Sequence, residues 1–250
     1  MISNSTRTAL IVGASSGVGA ALARGLARRG YALGLVARRI DRLQALCDEV
    51  TGAHHIRAFP YQHDVMNTTE VPALLDKAIS DLGGLNLFIY CAGVLFPNDP
   101  AAYHADEDLL MLQVNLVGAT AWIDPVAQGF QQKRAGHIVG IGSIAGDRGR
   151  RGMPAYTASK AGLHTYLEGM RNRLWREGVT VTTIKLGQVE TDMLKNADRK
   201  RNPIAADRAA ELIWRAIEKR KQTVYVPSWW RLIGLAIQHL PSLIFRRLPI

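Results

Sequence analysis

The chain has 250 residues, 48% of them apolar and 21% charged, and 31 basic against 21 acidic side chains leave a formal charge of +10. This composition suits one sizeable globular domain; it is too apolar for disorder, and its apolar residues are spread too evenly for a membrane bundle. Two cysteines, Cys47 and Cys91, supply no disulfide framework, and no Cys/His grouping has zinc-ligand spacing, so a reducing compartment and no metal are expected.

The first eight residues are polar and a glycine-rich run follows, which does not read as a secretory signal, and the cytoplasm is the expected location. From there, short runs rich in Val, Ile and Leu alternate with segments of helical period. Strands are predicted at 8–13, 31–37, 55–61, 86–91, 136–142, 179–186 and 223–227. Helices are predicted at 17–29, 40–50, 70–82, 105–133, 154–177 and 205–221, with a kink at Pro125. The alternation spells an α/β fold of Rossmann type, a doubly wound, seven-stranded parallel sheet with helices on both faces. Residues 1–227 form the expected catalytic domain and 228–250 a separate apolar tail.

The first strand ends at Gly13 and runs through Ser15, Ser16, Gly17, Val18 and Gly19 into a helix. A strand, a glycine turn and a helix N-terminus in the first βα unit bring backbone N–H groups to one point, which attracts phosphate. About twenty residues on, where an NAD site carries an acid, stand Arg38 and Arg39. Guanidinium groups match a 2′-phosphate in charge and geometry, so NADP(H) is expected over NAD(H). Asp64, followed by Val65 past the third strand, has two readings, a partner for an adenine edge or a turn former.

Tyr156 and Lys160 lie four apart at the start of a helix and share one face. A nearby ammonium favours a phenolate, which would lower the tyrosine's pKa and make it a proton donor and acceptor. Ser143 stands thirteen residues upstream, at the carboxyl end of a predicted strand, where open α/β sheets bind ligands.

Gly13-x-x-x-Gly17-x-Gly19, Cys91-Ala92-Gly93 after a strand, Asn115 in a long helix, Ser143, and Tyr156-x-x-x-Lys160 together resemble the short-chain dehydrogenase/reductase family, from Thr8 to about Val226. The resemblance implies Tyr156 as general acid/base, with Lys160 lowering its pKa and holding the nicotinamide ribose. It implies Ser143 orienting a carbonyl or alcohol, and Asn115 anchoring a water in a proton relay; an interior amide satisfied by backbone is the plain alternative for Asn115. Cys91, Ala92, Gly93, Gly187, Val189 and Thr191 would line the cofactor, with Thr191 on the nicotinamide amide. Three departures stand out: Val12 replaces a threonine, Cys91 an asparagine, and Leu186 the proline before Gly187. The implied activity is hydride transfer between nicotinamide and a carbonyl or secondary alcohol. A non-catalytic NADP(H)-sensing regulator on the same fold is the alternative, and the intact Ser/Tyr/Lys set argues against it.

Residues 191–206, polar and basic, read as a lid. Arg148, Arg150 and Arg151 border the expected mouth and fit an anionic substrate as well as plain solvation. The tail carries an uncharged run, 232–245, broken by Pro241 and flanked by Trp229, Trp230, Arg231, Arg246 and Arg247. It is too short to span a bilayer; peripheral membrane contact, an oligomer interface and a lid over a lipophilic pocket all remain open. The resemblance implies a homodimer or homotetramer through helices 105–133 and 154–177. Without a binding module or a basic-aromatic stripe, nucleic acid is not an expected partner.

Overall fold

A strand covered on both faces needs apolar residues along its length, and the first strand has them from Ala9 to Val12. In the computed structural model, which describes residues 7–96, 102–196 and 202–248, β1 (Thr8–Val12) is buried throughout. Ala9 and Ile11 pack into one core with α1 (Gly17–Ala27), α2 (Ile40–His54) and α7 (Ala206–Glu218). Leu10 and Val12 pack into another with α3 (Val71–Leu82), α5 (Gly118–Lys133) and α6 (Pro154–Leu174). Successive side chains of a strand point to opposite faces, so one short strand joins both helical layers.

The other strands of the sheet are β2 (Ala32–Ala37), β3 (Ala58–Gln62), β4 (Leu87–Tyr90), β5 (Gly136–Ser143), β6 (Val179–Leu186) and, after the small pair β7 (Val189–Glu190) and β8 (Ile204–Ala205), β9 (Thr223–Val226). All seven run parallel in the order β3-β2-β1-β4-β5-β6-β9, the doubly wound arrangement expected. From β1 the chain winds outward through β2 and β3, then returns to place β4 on the other side of β1. Val12 therefore has Val36 on one side and Tyr90 on the other. A crevice opens at such a reversal, outside the carboxyl ends of the strands.

Two elements depart from expectation. Helix α2 continues to His54 and closes on His55 at φ 54°, whose N–H reaches Thr51 O at 2.9 Å, so β3 starts at Ala58 rather than at 55. The predicted helix 105–133 divides into α4 (Ala105–Leu112), a π turn at Gln113–Val117, and α5, which runs on through Pro125. The wider turn has partners for what it displaces: Tyr90, fully buried on β4, donates its hydroxyl to Val114 O at 2.7 Å. The whole stretch Ala105–Lys133 is long and apolar enough to cross a membrane. Its Met111, Trp122, Ile123 and Phe130 are nonetheless packed inside the protein. Beyond β9 the tail forms α8 (Trp230–His239) and α9 (Ser242–Phe245).

Candidate active site

The carboxyl ends of β1, β4, β5 and β6 open onto one cavity of about 330 Å³. Its floor is the glycine turn. Gly13 has φ +92°, and a Cβ there would lie 2.5 Å from Ala92 N; a Cβ on Gly19 would lie 2.1 Å from Gly13 O. Only glycine lets these two backbones meet. Ser16 makes no side-chain cap on α1 and no acid occupies its first turn, so the positive end of the helix faces the cavity unscreened by side chains.

At one end of the cavity Arg39 donates to Ser15 Oγ and Ser16 Oγ, both at 2.8 Å. Arg38 is largely exposed, 3.9 Å from the Asp64 carboxylate. Asp64 accepts from Met66 N at 3.1 Å, making the turn that was one of its two readings, while it and Val65 still line the cavity.

At the other end stand Ser143, Tyr156 and Lys160. Ser143 closes β5; its Oγ accepts from Ala145 N at 3.1 Å, and its hydroxyl is hydrogen-bonded to Tyr156. Its backbone N–H points to His164 Nε2 at 3.4 Å. Burial pulls the His164 pKa down to about 3, which keeps that nitrogen an acceptor. The ring fits because Gly142 and Gly146 lack side chains: a Cβ on either would come within 2.3 or 2.7 Å of it.

The expected effect of Lys160 on the phenol is not what the site shows. Burial raises the Tyr156 pKa above its ordinary value, against smaller lowering contributions from the Ser143 hydrogen bond and the Arg150 charge. Lys160 Nζ sits 5.9 Å from the tyrosine ring centre and donates to Ile141 O at 3.3 Å. Burial brings its own pKa down to about 8. A low-polarity pocket disfavours both charged forms, so the phenol keeps its proton at neutral pH.

Asn115 is fully buried on the π turn. Its Oδ1 accepts from Val94 N at 2.8 Å, and Nδ2 donates to Val94 O at 3.0 Å and Ser159 Oγ at 3.1 Å. The amide thereby braces the segment after β4, next to Gly93, through both backbone groups of Val94 and ties it to α6 through Ser159. Cys91 and Ala92 lead into that segment, and burial pushes the Cys91 thiol up to about 12, which leaves it protonated. Gly187 and Val189 line the far wall, and Thr191 bonds Val189 O at 3.3 Å with its methyl against Gly17.

The three arginines near the mouth separate. Arg150 lines the cavity and Arg151 is exposed, but Arg148 is taken up by the tail, donating to Ile237 O at 2.6 Å. It is therefore not a substrate anchor. Of the predicted lid, residues 197–201 lie outside the described residues. The sequence reading singled out neither His164 nor the wall made by Leu95, Met153 and Met193. The one available signal for His164 was its place four residues after Lys160 on the same helix face. Trp230 was noted only as part of the tail; it is buried, lines the cavity and lies over Gly187.

A family profile described as short chain dehydrogenase matches residues 7–202. A protein of Myxococcus xanthus described as an uncharacterized oxidoreductase is 37% identical over 193 residues, 77% of this chain and 76% of that one. Another so described, from Mycobacterium tuberculosis, is 30% identical over 95% of both chains. Among solved structures, a short-chain dehydrogenase from Sphingobium yanoikuyae in complex with NADPH superposes with a TM-score of 0.83 at 26% identity, covering 94% of each chain.

Proposed function

The chain belongs to the short-chain dehydrogenase family of oxidoreductases, and from that premise we propose that it is an NADP(H)-dependent enzyme that interconverts a carbonyl compound and a secondary alcohol, with Tyr156 as the proton donor. The observation that carries this reading is the shared cavity. A glycine cradle and two arginines occupy one end, and a serine-bonded, buried tyrosine with a lysine beside it occupies the other.

The residues fit the dinucleotide. Side chains at Gly13 or Gly19 would fill the cradle, the N-terminus of α1 offers N–H groups to a pyrophosphate, and Arg38 and Arg39 present cations where an adenosine 2′-phosphate would bear charge. Arg39 is already oriented by Ser15 and Ser16. Lys160, Gly93 and Thr191 would hold the nicotinamide end. When bound, the nicotinamide supplies the hydride that reduces the carbonyl carbon.

The chain's own groups handle the oxygen. Ser143 Oγ accepts from Ala145, so its proton is directed into the cavity, toward Tyr156 or a carbonyl oxygen that gains charge as it is reduced. The buried Tyr156 phenol holds a proton at neutral pH and donates it to that oxygen, a direction of transfer suited to reduction. Leu95, Met153, Met193 and Trp230 give the substrate end an apolar wall that excludes water. Arg150 adds a cation to the substrate end beside Lys160 and favours a substrate with a negative or strongly polar group.

Tyr156→Phe tests the reading. NADPH should still bind, followed by its change in fluorescence, while NADPH consumption with a panel of carbonyl compounds is lost. Turnover comparable to that of the unaltered protein discards the assignment.

A further inference from the structure

The C-terminal helices spend one face on the body of the protein and leave the other apolar. On the inner face of α8, Trp230 lies over Gly187, and Gly234 admits no side chain because Asp147 Oδ2 and Tyr225 would be 2.8 and 3.0 Å from a Cβ. Asp147 is itself held by an ion pair with Lys185 and by the Tyr225 hydroxyl at 2.9 Å. Arg148 donates to the carbonyl oxygens of Ile237 and Leu240 and lies 4.0 Å from the Phe245 ring centre, closing the end of α8 and the start of α9. The pair is anchored, so the residues on its outer face are set by the fold.

That outer face carries Trp229, which precedes α8, Leu232, Ile233 and Leu235 from α8, and Leu243 and Ile244 from α9. Leu232 is 73% exposed, Leu243 63% and Ile244 50%. Arg231, Arg246 and Arg247 are exposed at its margins, and residues 228–250 contain no Asp or Glu. Six exposed apolar side chains gathered on one anchored face call for a cover.

We propose that this face docks the protein on an anionic lipid bilayer, with α8 and α9 lying in the headgroup plane. Ten residues of α8 and four of α9, parted by Pro241, are too short to cross. Exposed leucines flanked by tryptophan and arginine match the boundary between acyl chains and phosphates. The charge pattern chooses the occupant. A second copy meeting this face in a two-fold contact would set arginine against arginine, with no carboxylate on the segment to pair them. Lipid phosphates supply the missing sign, and the net charge of +10 acts in the same direction.

The test is flotation of the full-length protein with vesicles of phosphatidylcholine, alone and mixed with phosphatidylglycerol, beside Leu232→Glu/Leu243→Glu and Arg246→Gln/Arg247→Gln. Circular dichroism melting checks that each variant folds. The unaltered chain should float with the anionic vesicles. The first variant should lose roughly tenfold or more in partitioning for each leucine, the second about fivefold for each arginine. No flotation with anionic vesicles overturns the proposal, as does equal flotation by the leucine variant. So does light scattering that shows a lipid-independent oligomer dissociated by the leucine variant, since a second copy then covers the face. None of these readouts depends on catalysis or on nucleotide, so the proposal stands or falls apart from the enzymatic one.

Discussion

Lys160→Met should stabilise the protein at neutral pH and lose that advantage as the pH rises. Lys160 is 5% exposed, and burial lowers its pKa from 10.5 to about 8. In the unfolded chain it titrates near 10.5, so below pH 8 both states carry the proton and the folded state bears the whole cost of burying it. At about 1.4 kcal/mol per pKa unit, that cost is about 3 kcal/mol. Between pH 8 and 10.5 the folded chain gives up the proton first; the unfolded state then binds more protons, and stability rises with pH. Methionine keeps an unbranched stem and removes the ammonium. The variant also forfeits the hydrogen bond to Ile141 O, worth about 1 kcal/mol, but that loss is a constant offset while the wild-type ammonium persists. Urea unfolding of both proteins across pH 7 to 10.5 reads the difference, which should move by about 3 kcal/mol in favour of the wild type. A difference that stays flat over this range refutes the claim that a desolvated ammonium sits in the cavity. A buried ammonium that costs the fold stability is explained by what it does to a ligand.

Three further outcomes follow from single contacts. Gly13→Ala should destabilise by about 3 kcal/mol or more, from a positive φ and from overlap with Ala92 N, whereas Gly30→Ala, at φ +76° with open space around it, should cost only about 1 kcal/mol; equal losses in urea unfolding would contradict the close approach of β1 and β4. Asn115→Leu should cost about 2 to 4 kcal/mol by stranding both polar groups of Val94, and a loss under about 1 kcal/mol would remove its bracing role. Arg38→Asp combined with Arg39→Asp should shift the ratio of kcat/KM for NADPH over NADH at least about tenfold toward NADH; an unchanged ratio ends the assignment of these arginines to a 2′-phosphate.

The elements most legible in the sequence were those governed by local chemistry. Strands β1, β5 and β6 each centre on apolar or β-branched residues, and their bounds fall within a residue of expectation because burial on two faces leaves little latitude in composition. The π turn was not legible. Gln113–Val117 has ordinary helical periodicity, and what opens the ladder there is distant: the Tyr90 hydroxyl from β4 and the Val94 backbone beyond it. The end of α2 was misjudged because the run around Ile56 reads equally as strand or helix exit until the His55 turn decides it.

By itself the sequence determined the sheet, the glycine turn and the membership of Ser143, Tyr156 and Lys160 in one neighbourhood, because periodicity, glycine placement and i,i+4 spacing are properties of adjacent residues. The tertiary structure decided what those groups experience. Whether a phenol or an ammonium keeps its proton depends on how much water the surrounding elements remove. The two destinies of Arg148 and Arg150, two residues apart, were decided by a helix that begins some eighty residues later. Desolvation and long-range contact are sums over the whole packed molecule, and no window of sequence contains them.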